Sequence, residues 1–333
     1  MKSRVPLLFG SSAFGIKGTL GTRIHDINEC RRIVEYLNSK GYHEYDGARK
    51  YGDGSSEEYL GKLRDLGALE GAKIDTKVFV AIPGVPGDHA PGKLRASLQE
   101  SLKALNMDKV RVFYLHLPDR GTPFEDTLFE INELYKEGKF EYFGLSNYYS
   151  WEVAEIVTIA KAKGWIAPTV YQGVYNALER NIESELIPCL RKFGLSFVAY
   201  SPLARGLFGG VDPNAPAKGS RWDFSSSVMA PGLHMRYKGY TEIFPQLTET
   251  LKRHNLSGAE VALRWLQHHS ALGQEDGIIL GASSLEQLQA NVEDSEKDPL
   301  PSAIVDLLQE MWVVNKGRSP PYFIVPGVGG GKK

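Results

Sequence analysis

The sequence predicts an α/β protein: a single (β/α)8 barrel of the TIM type, with a long loop after its seventh strand and further helices near its C-terminal end. Three observations carry this reading. Eight short β-rich segments alternate with amphipathic stretches along the 333 residues. Their spacing is regular, about 25 to 35 residues from strand to strand, except for a last interval more than twice as long. Polar residues also gather at the carboxyl ends of the segments, which share one face in a parallel barrel. At about 150 residues per domain the length would suggest two domains, but α/β barrels run past 200 residues as one. Residues 1–333 are therefore read as one domain.

In chain order, the strands are expected at Leu7–Ser11, Tyr42–Asp46, Ile74–Phe79, Val110–His116, Tyr142–Ser146, Thr169–Gln172, Ser196–Ser201 and Gly277–Leu280. Helical periodicity marks Asp26–Ser39, Lys93–Leu105, Phe124–Glu137, Trp151–Lys163 and Glu183–Lys192. In the first of these Ile27, Cys30, Ile33, Val34 and Leu37 fall on one face. Ser150 is placed to cap the helix from Trp151, and Gly41, Gly138, Gly164 and Gly194 stand where C-terminal caps belong. The long last interval holds a Gly/Pro/Ser-rich stretch, Ala204–Gly239, expected to be a functional loop over the site. Helices at Glu242–His254, Ser257–His269, Leu285–Asp294 and Pro301–Lys316 follow, and Gly317–Lys333 is a tail expected to end in disorder.

Composition excludes several classes of function. Lys and Arg number 39 and Asp and Glu 40, a formal charge of −1, so no excess of positive charge points to nucleic acid or an anionic membrane. Hydrophobic residues make up 42% of the chain and charged residues 24%, the mix of a globular protein with a sizeable core. No apolar run approaches the roughly 18 residues needed to span a bilayer. The start, from Met1 to Phe9, is too short in apolar residues for a signal peptide. Cys30 and Cys189, far apart, suit a reducing compartment, so a cytoplasmic location is expected.

Familiar motifs nearly occur and fail. Gly10 and Gly15 have the spacing of a phosphate loop, but Ile16-Lys17 follows where Lys-Ser/Thr is needed. No Gly-x-Gly-x-x-Gly follows the first strand, which weighs against an open dinucleotide-binding sheet. Gly144-Leu145-Ser146-Asn147-Tyr148 lacks the last glycine of a nucleophile elbow, and His43-Glu44 lacks the second histidine of a zinc helix, so no metal is expected. What remains is a set of strand ends: Asp46 with Tyr51 after it, Lys77, His116, Ser146-Asn147, Gln172 and Tyr200-Ser201. Alone, Asp46 could cap a turn, Lys77 could be a solvated strand end and His116 a core histidine. Convergence on one face of a barrel is harder to explain that way.

Tyr45-Asp46-Gly47-Ala48-Arg49-Lys50-Tyr51-Gly52, Asp75-Thr76-Lys77-Val78, Tyr114-Leu115-His116-Leu117-Pro118-Asp119 and Gly144-Leu145-Ser146-Asn147-Tyr148 resemble successive signatures of the aldo-keto reductases. Gly121-Thr122-Pro123, the run Asn147–Ile156, Pro168–Gly173 and Leu280–Leu288 are similar to the aflatoxin-aldehyde (succinic semialdehyde) reductase branch in particular. The match spans residues 7 to about 323. It implies an enzyme that binds NADPH or NADP across the carboxyl face and moves a hydride to an aldehyde or ketone. By the same matching Tyr51 is the proton donor, Lys77 lowers its pKa from the usual value near 10, Asp46 orients Lys77, and His116 orients the carbonyl and shares the proton transfer.

The resemblance also implies a cofactor site. Ser146, Asn147 and Gln172 hold the nicotinamide carboxamide, and Tyr200 stacks on its ring. Ser201, Pro202, Leu203, Gly206 and Leu207 wrap the pyrophosphate with backbone N–H groups. Gly281, Ser283, Ser284, Gln287 and Asn291 receive the adenosine end near a helix N-terminus. Gly281–Asn291 contains no Lys or Arg, so Arg221, with Lys218 second, is the candidate for a 2′-phosphate. Relatives in this branch form dimers, so a homodimer is a further expectation.

The chain departs from the branch at its end. Close relatives finish in Tyr-Phe-Arg, whose arginine can pair with a substrate carboxylate; here Tyr322-Phe323 is followed by Ile324. An aliphatic group there forfeits a charged hydrogen bond worth roughly 1.5 to 3 kcal/mol. An uncharged, aromatic or secondary-metabolite carbonyl is therefore expected rather than succinic semialdehyde, unless Arg318 supplies the charge. Trp222 and Phe224 either line the substrate pocket with Tyr322 and Ile324 or anchor the loop. The alternative function is an NADP(H)-binding regulatory subunit of the potassium-channel β type, on the same fold, with little turnover.

Overall fold

A computed structural model describes residues 3–78, 87–225, 227, 230–240, 244–319 and 321–322. Its eight strands close into a parallel barrel in sequence order: β1 (Leu7–Gly10), β2 (Glu44–Asp46), β3 (Lys73–Lys77), β4 (Val110–Leu115), β5 (Phe140–Ser146), β6 (Val170–Val174), β7 (Ser196–Tyr200) and β8 (Gly277–Leu280). β8 pairs back onto β1, Leu7 opposite Ile278. Each expected strand has its counterpart, with ends shifted by a few residues; Phe79, expected to end the third, lies outside the described residues.

Parallel registry decides which side chains meet inside. Asp46 pairs with Asp75, Lys77 with Tyr114, and Tyr114 with Gly144, so these positions share the inner face. Leu8, Val112, Tyr114, Val170, Val198 and Ile279 fill the interior below Tyr200. A Cβ on Gly144 would fall 2.3 Å from the Tyr114 ring, so glycine there lets the tyrosine cross the barrel. At the barrel's amino end Arg111 closes the floor: its guanidinium grips both oxygens of buried Asp75, at 2.7 and 2.6 Å, and reaches Glu44.

Outside the barrel run α1 (Ile27–Ser39), α2 (Ser55–Asp65), α3 (Pro91–Leu105), α4 (Phe124–Lys136), α5 (Ser150–Lys163) and α6 (Leu186–Phe193). Asp26 caps α1 by accepting the Asn28 N–H at 2.8 Å, and Cys30, Ile33, Val34 and Leu37 are its buried face. The pattern reading missed α2, whose Gly61 and serine-rich start weaken the periodicity. Gly61 is there because α3 comes so close: a Cβ would meet the Ala104 carbonyl at 2.2 Å. Ser150 does not cap α5 but is its first residue. Glu152 instead reaches back to accept the Tyr149 N–H at 2.8 Å.

The stretch after β7 is not all loop. It contains α7 (Ala230–Tyr237), followed by α8 (Phe244–Arg253) and α9 (Gly258–His268); α10 (Leu285–Ser295) and α11 (Ser302–Asn315) come after β8. Pro231 and Gly232 hid α7, although proline costs little in a helix's first turn. No helix among the described residues is long and apolar enough to cross a membrane.

Candidate active site

Strand ends and the turn after β2 build the site. Beyond Asp46 the chain enters a tight turn, Tyr51–Gly54, in which Gly52, Asp53 and Gly54 have φ of 57°, 52° and 99°. That left-handed run swings Tyr51 back over the barrel mouth. Lys77 ends β3, fully buried, with Nζ 2.7 Å from Asp46 Oδ1, 2.7 Å from the Gly47 carbonyl and 3.2 Å from the Tyr51 hydroxyl. An ammonium has three protons, and here each has an acceptor. The third is aimed at the tyrosine oxygen. Asp46 Oδ1 also accepts Gln172 Nε2 at 2.7 Å, and its Oδ2 lies 3.4 Å from the Tyr51 hydroxyl.

Burial governs the titration of the cluster. It pushes the Tyr51 hydroxyl up to about 12; the Lys77 ammonium pulls the other way, and Asp46 adds to the rise. Lys77 acts on Tyr51 in the expected direction, but the net shift is upward, because removing the phenolate from water outweighs one neighbouring charge that Asp46 already shares. Tyr51 is a neutral O–H donor at physiological pH. Burial also works against the Lys77 charge, but Asp46 and Tyr51 more than restore it and its pKa is raised. His116 stands edge-on to Tyr51, ring centroids 6.0 Å apart, and burial, with help from Lys77 and Lys50, drives its pKa down to about 3. It is a neutral imidazole. In the cofactor-free protein its 13C NMR signals should not titrate from about pH 8 to about pH 5, against the ordinary histidine value near 6.5; a midpoint above about 5.5, assigned with His116→Asn, would contradict the burial argument.

The other strand ends meet beside this cluster. Asn147, left-handed at φ 64°, donates to the His116 carbonyl at 3.0 Å and to Ser146 Oγ at 2.9 Å, and accepts the Tyr200 hydroxyl at 2.8 Å. Gln172 turns its donor to Asp46. After β7 part of the expected amide cradle is turned inward. Ser201, Ala204 and Arg205 adopt φ of 57°, 47° and 56° and fold the turn on itself. The N–H groups of Ala204, Gly206 and Leu207 are consumed at 3.0, 2.9 and 3.3 Å by Ser201, Leu203 and Ala204.

Positive charge stands beside this turn. The Arg205 guanidinium lies 5.9 Å from the centre of the Tyr200 ring, and its buried Nε has no hydrogen-bond partner. Arg221 is exposed; partial loss of solvent around its guanidinium, with Arg205 and Arg23 nearby, disfavours its charge and lowers its pKa. Among the described residues none of the three has a carboxylate partner. Arg221 is thus within electrostatic reach of Arg205, which lies by Tyr200. Lys218 is exposed. Of the adenosine-end residues, Ser284 caps α10 through the Gln287 N–H at 3.3 Å, Ser283 bonds Gln287 Oε1 at 2.8 Å, Asn291 is buried, and Gly281 has open space over its Cα.

Trp222 is fully buried, with Nε1 donating to the Arg205 carbonyl at 3.1 Å and its ring against His234 and Tyr237. It anchors the loop. Phe224 is 62% exposed and lies on His234, 4.2 Å between centroids, so neither aromatic is placed as a pocket wall. Tyr322 does face the site's edge, accepting the Ser150 N–H at 2.9 Å and packing on Tyr149. Ile324 lies outside the described residues. Sequence reasoning missed Arg23, Arg205, Glu179 and Arg236. None stands at a strand end, and only Arg205, inside a quoted run, had a signal in the chain.

Comparison with known proteins follows the same line. The Aldo/keto reductase family model matches residues 6–313. The chain is 43% identical over 318 residues to human aldo-keto reductase family 7 member A3, covering 91% of this chain and 94% of the relative. It is 43% identical over 325 residues to human aflatoxin B1 aldehyde reductase member 2, 92% and 89% of the two chains. An aldo-keto reductase of Pseudocercospora fijiensis is 40% identical over 301 residues, 87% of this chain and the whole of the relative.

Proposed function

Because the chain belongs to the aldo/keto reductase family, and is thus an oxidoreductase of aldehydes or ketones, we propose that it uses NADPH, takes an uncharged aromatic or secondary-metabolite carbonyl, and delivers the proton from Tyr51. One observation carries the reading: the buried Lys77 ammonium spends its third proton on the Tyr51 oxygen. Tyr51 enters the reaction neutral, ready to donate. As its proton leaves for the carbonyl oxygen, the phenolate that forms lies 3.2 Å from a cation already held in place by Asp46 and Gly47. Asp46 is held in turn by Gln172. The charge develops where a positive group waits, so little reorganisation is needed. Neutral His116 offers the carbonyl oxygen a hydrogen bond without competing as an acid.

The residues present suit a dinucleotide. Three guanidiniums without carboxylate partners among the described residues, one with an orphaned buried Nε, match the phosphates of NADPH better than any neutral ligand. Arg205, Arg221 and Arg23 would hold those phosphates. Tyr200 would pack on the nicotinamide, and Ser146, Asn147 and the Gln172 carbonyl oxygen would meet its carboxamide. Gly281, Ser283, Ser284, Gln287 and Asn291 would take the adenosine end. When bound, NADPH supplies the hydride.

The test is NADPH oxidation with matched aldehydes. Turnover of 4-nitrobenzaldehyde is expected within the usual enzyme range of about 1 to 1,000 per second, with kcat/KM above that for succinic semialdehyde. A clear preference for the semialdehyde would overturn the substrate assignment. Turnover below about 0.01 per second with every carbonyl would favour the regulatory-subunit reading.

A further inference from the structure

At the edge of the site between β6 and α7, a buried ion pair has no part in the mechanism. Glu179, 4% exposed, accepts Arg236 Nε on one oxygen at 2.5 Å. Its other oxygen accepts Asn176 Nδ2 at 2.9 Å and the Tyr237 hydroxyl at 2.5 Å. Asn176 prepares this arrangement: its Oδ1 takes the N–H groups of Leu178 and Glu179 at 3.0 and 3.1 Å, and its Nδ2 also reaches the Ser201 carbonyl at 3.1 Å. Besides Arg236, 57 residues away, the carboxylate is held by Asn176 and by Tyr237, the neighbour of Arg236 on α7.

The position of Arg236 makes the pair relevant to substrate. Glu179, Arg236 and Asn181 line one narrow cleft with Val174, Ser319 and Tyr322, too tight as it stands to hold a water molecule. Tyr322 is the one candidate pocket residue that faces the site's edge, and the Arg236 charge is felt at Tyr200, whose hydroxyl holds Asn147. A guanidinium here would ordinarily be the natural seat for a substrate carboxylate. In this chain an internal carboxylate already occupies it.

We propose that Glu179 is a specificity-determining residue: by pairing with Arg236 it withdraws from substrate the one cation that lines this cleft among the described residues and turns away carbonyl compounds that carry a carboxylate. An anionic substrate approaching this edge of the site meets a neutralised arginine and a fixed negative charge beside it, so discrimination comes from repulsion as well as from a missing attraction. This rests on the reductase reading above, and it reaches the neutral-substrate expectation without the chain end, since Ile324 plays no part in it.

The experiment compares 4-carboxybenzaldehyde with 4-nitrobenzaldehyde, similar in size and different in charge, as a ratio of kcat/KM. Glu179→Gln is expected to raise that ratio about tenfold, the effect of about one charge-assisted hydrogen bond, and Glu179→Gln with Arg236→Gln to return it to the wild-type value. A folded Glu179→Gln protein with an unchanged ratio would overturn the proposal. Arg236→Met gives a second arm should the glutamine variant not fold. It leaves the Glu179 carboxylate without its counter-ion, so the ratio is expected to fall, and a ratio that stays level or rises would count against the repulsion. Benzoate binding, followed by tryptophan fluorescence, reads the same site without turnover: it should tighten in Glu179→Gln, and no tightening counts against the proposal. Failure of the reductase reading looks different, because 4-nitrobenzaldehyde would then go unreduced by every form.

Discussion

Tyr51→Phe is expected to lower kcat for every reducible aldehyde by about 10² to 10⁴, the usual contribution of a positioned general acid, with little change in NADPH affinity measured by fluorescence. The substitution removes one oxygen. Lys77 keeps two of its three acceptors, Asp46 and Gly47, and the fold keeps its Asp46–Lys77 pair. An affinity loss matching the rate loss would mean that the hydroxyl positions the cofactor rather than supplying the proton. Undiminished reduction would end the assignment.

Lys77→Met should cost more, because it damages both activity and stability. The side chain is fully buried, and Asp46, 2% exposed, would remain inside the barrel without its counter-ion. Breaking a buried pair from one side typically costs about 3–5 kcal/mol, measurable by urea denaturation. The same substitution leaves a forming tyrosinate with no neighbouring cation, so kcat should fall at least as far as in Tyr51→Phe. The double variant Asp46→Asn/Lys77→Met separates the two effects. It should recover most of the stability, since no charge is then stranded, and none of the activity. If Lys77→Met were as stable as the native protein, the pair would not carry the electrostatic load assigned to it.

Pattern alone made the barrel legible. β1 to β8 lie within a few residues of where short apolar runs and turn residues put them, because each strand of a parallel barrel must be apolar over several consecutive residues to be buried on both faces. The exceptions have local causes. Gly61 diluted the signal of α2 so that α3 could approach, and Pro231 hid α7 although it sits where a helix tolerates it. Asp46, Tyr51, Lys77 and His116 were legible as a group because their strand ends face one way. Their protonation was not: Lys77 argued for a more acidic Tyr51, and only the enclosure of the barrel mouth shows burial to be the stronger effect.

The sequence by itself determined the eightfold alternation, the side chains at the strand ends and the family to which the chain belongs. These are periodic or contiguous features, written within a few residues of one another. Tertiary structure alone decided that the Ala204, Gly206 and Leu207 amides close on their own turn, that Arg221 feels the charge of Arg205, that Trp222 is an anchor, and that Glu179 meets Arg236. Each depends on where distant segments come to rest. An ion pair between residues far apart in the chain leaves no mark on local composition, because either charge alone reads as an ordinary solvated side chain until folding removes the water around both.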